Sequence, residues 1–305
     1  MSLLTCTNLS ILDIKGLFLT TDKIYKSNSQ LMKDKILINV FFEPSTRTSL
    51  SFECAMKRLG GNVINFQKDA SSLKKGESYE DTIRTLSNYG DIMVLRHPEI
   101  GKVALASELI NIPVINAGDG AGEHPTQALL DLYTMYKKFG NDFETKTILF
   151  VGDLKNSRTI HSLISLINLY PKMKIYILSY PGLEPDEQLL ENISKIHQQP
   201  KDSIVFSVDD IDYSLFDVVY ITRLQKERGT NGLRCVPPLY RMTNELANTM
   251  KEDAIIMHPL PRNEEIDPDV DNNHRCYYFK QMKYGVDIRM AIISRQLYLA
   301  NYKFS

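Results

Sequence analysis

A chain of 305 residues is long enough for two domains, each with its own hydrophobic core. Its 36 basic and 37 acidic residues leave a net charge of −1. The overall charge therefore draws it neither to nucleic acid nor to an anionic membrane surface, and any anion binding must come from local clusters.

The predicted elements alternate between strand and helix almost from end to end. KILINVFF (35–42) is rich in β-branched and aromatic residues and stops at Glu43-Pro44, which marks a buried strand. Phe52, Ala55, Met56 and Leu59 then recur at helical spacing. NVINF is the next strand, followed by a helix striped by Tyr79, Ile83 and Leu86. DIMVLR, IPVIN, TILFVGD, KIYILS, SIVFS, DVVYIT and AIIMHP continue the strand series, with helical segments such as 127–139 between most of them. This order predicts an α/β fold of two doubly wound domains with parallel sheets and an active site in the cleft between them. The polar segment from Lys137 to Asp142 predicts the boundary, giving domains of 1–138 and 139–287. The four cysteines (Cys6, Cys54, Cys235, Cys276) are dispersed, without metal-ligand spacing or the density of a secreted disulfide scaffold. With no signal-like N-terminus and no apolar run of spanning length, the expected location is cytoplasmic.

The chemistry gathers at predicted strand ends. Ser45, Thr46, Arg47 and Thr48 stand where a strand passes into a helix, and helix starts offer unpaired N–H groups to anions. The same spacing also suits a plain helix cap with Arg47 in water. Ser71-Ser72-Leu73-Lys74-Lys75 reads by pattern as an exposed loop with solvated lysines. Arg96 ends a strand, in a position open to either a ligand group or an ordinary surface arginine. The three glycines before His124 and Gln127 permit a tight strand-to-helix turn, and His124 there is either an electrophile or a structural histidine. VGDLKNSRTIHSL lacks the paired glycines and Lys-Ser/Thr of a nucleotide loop, but it places Arg158 near a helix start. Arg223 and Gln225 follow DVVYIT, and HPLPR (258–262) follows the last strand. The inventory is cationic, rich in donors and poor in bases or nucleophiles, which suits anion binding and stabilisation of developing negative charge.

FFEPSTRTSLSFE, SSLKKGES, RHPEIG, NAGDGAGEHPTQALLDLYT, GDLKNSRTIHSL, ITRLQKER and HPLPR occur in an order that resembles aspartate carbamoyltransferase catalytic chains. The resemblance runs from about Leu31 to the C-terminus, and the pair RLQKER and HPLPR is its specific part. An ornithine carbamoyltransferase is expected to carry a cysteine-bearing histidine motif at both histidine positions, and neither is present. The resemblance implies that Ser45, Thr46, Arg47, Thr48 and Arg96 hold carbamoyl phosphate. It implies that His124, Arg47 and Thr48 polarise its carbonyl, and that Gln127 and the carbonyls of Pro259 and Leu260 orient its amino group. Arg158, Arg223 and Gln225, with Leu260, would meet aspartate. Ser71 and Lys75 would reach carbamoyl phosphate, and Lys75 aspartate as well, from a neighbouring subunit of a homotrimer. A C-terminal helix of about 288–305 would complete the first domain, and Leu260-Pro261 is a candidate cis bond.

The resemblance also implies a mechanism. The neutral α-amino group attacks the carbonyl carbon and phosphate leaves, with its oxygens taking the amine proton. No metal or organic cofactor is required. Separate regulatory chains stay open, and the segment 228–238 departs from the family pattern where a mobile loop is expected. Two alternatives stand beside this reading. One is carbamoyl transfer to another amine, which Arg158, Arg223 and Gln225 oppose. The other is a catalytically silent homologue, whose mark would be loss of Arg47, Lys75 or His124.

Overall fold

The computed structural model describes residues 2–301 apart from 25–29, 68–74, 210, 227–228 and 230–231. Ser71 and Arg228 therefore lie outside the described residues. The chain divides into two α/β units, one made of Met1–Tyr133 with Met282–Ser305, the other of Thr134–Gln281.

In the first unit the order is α1 (Ile11–Ile24), β1 (Ile36–Phe41), α2 (Thr46–Arg58), β2 (Asn62–Gln67), α3 (Tyr79–Ser87), β3 (Ile92–His97), α4 (Lys102–Leu109) and β4 (Val114–Asp119). The strands are parallel in the spatial order β2-β1-β3-β4. Chain order thus runs outward from β1 to β2, then returns to place β3 on the other side of β1. That reversal opens a crevice at the carboxyl ends of β1 and β3, the usual place for a ligand in an open sheet. Leu37, Ile38, Val40, Met93, Val94 and Leu95 are fully buried, as expected of strands covered on both faces. The predicted stripe on α2 (Phe52, Ala55, Met56, Leu59) is buried as well. The N-terminal segment adds to the edge of β4: Leu3 N–H donates to the Val114 carbonyl at 2.9 Å, and Asn116 N–H to the Leu3 carbonyl at 2.9 Å.

The second unit repeats the plan with β5 (Thr147–Gly152), α6 (Arg158–Ile167), β6 (Lys174–Ser179), α7 (Glu187–His197), β7 (Val218–Ile221), α8 (Asn244–Thr249) and β8 (Ile255–Met257). Its strands are parallel in the order β6-β5-β7-β8, so its reversal lies between β5 and β7. One predicted strand is corrected. SIVFS makes only an isolated bridge between Val205 and Ile177, held by Ile177 N–H to the Ile204 carbonyl and Phe206 N–H to the Ile177 carbonyl. A 3-10 turn over Lys201–Ser203 occupies the start of the segment and keeps it from extending along β6.

Helix α5 (Pro125–Phe139) leads from the first unit into the second, and α9 (Tyr278–Asn301) leads back. Ile288, Ala291, Ile292 and Ile293 of α9 are fully buried. Arg295 of α9 donates to the Asp13 carboxylate and, at 3.2 Å, to the Asp13 carbonyl. The Ser10 hydroxyl and then Arg295 hold the Asp13 carboxyl down at about 2. No helix among the described residues is long and apolar enough to cross a membrane.

Candidate active site

At the head of the first sheet, register pairs Phe41 of β1 with Arg96 of β3, and Phe42 N–H donates to the Arg96 carbonyl at 2.9 Å. The Arg96 side chain turns back over the start of α2. Its Nε donates to Glu43 Oε1 at 2.6 Å, and its Nη1 lies 3.4 Å from the Ser45 hydroxyl. Ser45 is the N-cap residue of α2, yet its side chain makes no cap hydrogen bond. The first-turn N–H groups and the positive end of the helix dipole are thus offered where Thr46, Arg47 and Thr48 also sit. Thr46 and Arg47 are exposed and Thr48 is buried. Sequence spacing alone left open a plain helix cap here; the geometry instead turns Ser45 toward Arg96.

The turn from β4 to α5 brings His124 and Gln127 to the same end of the sheet, both buried. Gly120 has a φ of +54° and donates to the His97 carbonyl at 2.8 Å; a Cβ there would lie 2.6 Å from the Pro98 carbonyl oxygen. Only glycine permits this close approach. The Glu123 carboxylate accepts from Cys6 N–H at 2.5 Å, tying the turn to the N-terminal segment. His124 Nδ1 lies 3.5 Å from the Thr126 hydroxyl. Gln127 Nε2 donates to Asp131 Oδ1 at 2.8 Å. Lys75 is exposed in the short turn before α3.

In the second unit Arg158 opens α6 after β5 and is 7% exposed, so the bland surface reading of this arginine does not hold. Arg223 and Gln225, both half-buried, follow β7. Asp153, fully buried, joins these two strand ends. Its carboxylate accepts from Asn156 N–H at 3.0 Å, from Asn156 Nδ2 at 3.2 Å and from Gln225 N–H at 3.3 Å. Gly152 has a φ of +127°, and a Cβ there would stand 2.5 Å from the Thr222 carbonyl oxygen, so the two strand ends meet through a bare backbone.

After β8, His258 and Glu265 are both fully buried, with Nε2 and Oε1 2.8 Å apart. Leu260 N–H donates to His258 Nδ1 at 2.8 Å. That nitrogen is therefore an acceptor, which puts the ring proton on Nε2, toward Glu265. Burial pushes the imidazole below its ordinary value, against the pull of Glu265, so the ring is neutral. This fixed ring holds the segment Pro259-Leu260-Pro261, in which Leu260 has a φ of +55° and Leu260-Pro261 is cis. Arg262 forms a two-pronged ion pair with Asp271 and donates to Tyr278 at 2.8 Å.

Thus Ser45–Thr48, Arg96, His124 and Gln127 converge at one end of the first sheet, and Arg158, Arg223, Gln225, Pro259 and Leu260 follow strand ends of the second. Sequence reasoning missed the acids that hold them: Glu43, Glu123, Asp131, Asp153 and Glu265. Asp153 carried the clearest signal, an aspartate directly after the carboxyl end of a buried strand. Among the described residues no group of three or more His, Cys, Asp or Glu is gathered for a metal ion.

A family model described as the carbamoyl-P binding domain of aspartate/ornithine carbamoyltransferases matches residues 1–137, and its Asp/Orn binding domain counterpart matches 144–295. The aspartate carbamoyltransferase catalytic subunit of Archaeoglobus fulgidus is 48% identical over 269 residues, covering 87% of each chain. Among solved structures, the catalytic subunit of M. jannaschii aspartate transcarbamoylase is 42% identical with a TM-score of 0.86, covering 97% of each chain. Aspartate transcarbamoylase from Trypanosoma cruzi, solved with carbamoyl aspartate and phosphate, is 37% identical with a TM-score of 0.85, covering 96% of this chain and 94% of that one.

Proposed function

Because the chain belongs to the aspartate/ornithine carbamoyltransferase family, we propose that it transfers the carbamoyl group of carbamoyl phosphate to the amino group of L-aspartate. The products are N-carbamoyl-L-aspartate and phosphate, the committed step of de novo pyrimidine synthesis in the cytoplasm. The observation that carries the reading is the start of α2, where the helix end is uncapped and the Ser45 hydroxyl of its N-cap residue lies within hydrogen-bond reach of Arg96. Such a constellation suits a phosphate group.

In this proposal the first unit binds carbamoyl phosphate. Ser45, Thr46, Arg47, Thr48 and Arg96 take its phosphate, while Arg47, Thr48 and His124 donate to its carbonyl oxygen as negative charge develops there. Gln127 and the carbonyls of Pro259 and Leu260 accept from its amino group. The second unit binds aspartate through Arg158, Arg223 and Gln225, aided by Leu260. The α-amino nitrogen attacks the carbonyl carbon, the bond from that carbon to the phosphate oxygen breaks, and the departing phosphate takes the amine proton. The chain therefore needs no general base of its own, in keeping with a site whose acids are engaged in holding other groups. Lys75, with Ser71, serves the site of a neighbouring copy in a homotrimer. The relatives' designation as catalytic subunits supports separate regulatory chains as partners.

The test is carbamoyl-aspartate formation by the wild type beside Lys75→Ala, with ornithine replacing aspartate in a parallel assay. Turnover of aspartate with a loss of at least about a hundredfold in the variant supports the reading. Turnover of ornithine in place of aspartate would overturn the roles given to Arg158, Arg223 and Gln225.

A further inference from the structure

Gln127 and Asp131 lie one turn apart on α5, where residues four positions apart face each other. Both are buried, Gln127 at 6% exposure and Asp131 at 0%, and the Gln127 Nε2 to Asp131 Oδ1 distance is 2.8 Å. A carboxylate only accepts, so the Gln127 amide must turn its NH2 toward Asp131 and its carbonyl oxygen away. Arg289 of α9, buried at 3% exposure, supplies the counter-charge to Asp131. Its guanidinium lies 5.1 Å from the Phe52 ring centroid of α2 and donates to the Gly285 carbonyl at 3.2 Å. Burial pushes Arg289 down to about 10, with Asp131 opposing, so the guanidinium stays charged at neutral pH.

We propose that Asp131 is a positioning residue for substrate choice: by fixing the Gln127 amide it makes the site demand an N–H donor on the reacting carbonyl. This rests on the carbamoyl-transfer reading above. An acyl phosphate of the same shape with a methyl group in place of the amino group leaves the Gln127 oxygen without a donor, and a buried acceptor so abandoned is costly. With Asn at position 131 the partner both donates and accepts. The Gln127 amide is then free to turn over and present its own NH2, which repels a carbamoyl group and is indifferent to a methyl group.

The experiment compares kcat/KM for carbamoyl phosphate and acetyl phosphate, with aspartate as acceptor, in the wild type and D131N. Where acetyl transfer is too slow to follow, inhibition by acetyl phosphate takes its place. The expected result is a preference for carbamoyl phosphate reduced by about tenfold, mostly through loss on carbamoyl phosphate. A parallel fall on both substrates would overturn the proposal and leave Asp131 a packing residue. If the unpaired guanidinium unfolds D131N, the double variant D131N/R289M buries neither charge and carries the same comparison. A wild type inactive with carbamoyl phosphate and aspartate would instead overturn the carbamoyl-transfer reading itself, which makes the two failures distinguishable.

Discussion

In the first unit the groups proposed to bind an anion gather at the start of α2, and in the second only Arg158 opens a helix, while Arg223, Gln225, Pro259 and Leu260 sit on loops beyond strand ends. The α2 start needs little support: backbone N–H groups already point outward, and Glu43 is enough to aim Arg96. The segments after β7 and β8 have no such frame. There buried acids supply it, Asp153 binding the Arg158 turn to the Gln225 strand end and Glu265 fixing His258 and, through it, Leu260. Two sites with the same cationic vocabulary thus separate chemistry from support to different degrees. A lesion in the first should remove activity and spare stability, and one in the second should cost both.

The largest expected effect tests the first half of that contrast. Arg47→Ala, at an exposed position, should lower kcat by about 10²–10³ while moving unfolding free energy by less than about 0.5 kcal/mol. Parallel steady-state kinetics and thermal melts check it, and a large drop in Tm would break the comparison. Next comes Glu265→Gln, which keeps the shape but alters a fully buried acceptor. It should destabilise by about 2 kcal/mol and raise the KM for aspartate. Unchanged stability would show that the loop holds itself. The smallest effect lies outside both sites. The Asp13 carboxyl falls from an ordinary 3.8 to about 2 in the fold, so its contribution is present above 3.8 and lost as pH drops through about 2. Near the surface, solvent screening keeps that contribution to about 1 kcal/mol. Asp13→Asn should be weaker than the wild type by that amount at neutral pH, and the gap should close between pH 4 and 2 in acid unfolding curves.

Much of this was legible in the sequence because buried parallel strands announce themselves as unbroken apolar runs, as in KILINVFF and TILFVGD. SIVFS has the same composition and failed, since composition does not reveal that the 3-10 turn at Lys201–Ser203 takes the residues a strand would need. The strand-end arginines and His124 were legible for a similar reason: in this fold, position relative to a strand is position relative to the crevice. The supporting acids were not. Asp131 reads as one more polar residue on a helix, and its meaning depends on Arg289, a residue distant in sequence that arrives on another helix. The helical spacing from Gln127 to Asp131 was visible, but nothing in the chain order said that both would be buried.

The return of α9 to the first unit has a consequence for biosynthesis. A chain emerging from the ribosome delivers all of Thr134–Gln281 before the last piece of the unit that began first. The second unit can close its core while its predecessor still lacks Ile288, Ala291, Ile292 and Ile293, and the Asp13–Arg295 pair joins residues from opposite ends of synthesis. The helix start proposed to take phosphate is among the earliest structures made, and the unit that carries it is the last to be finished.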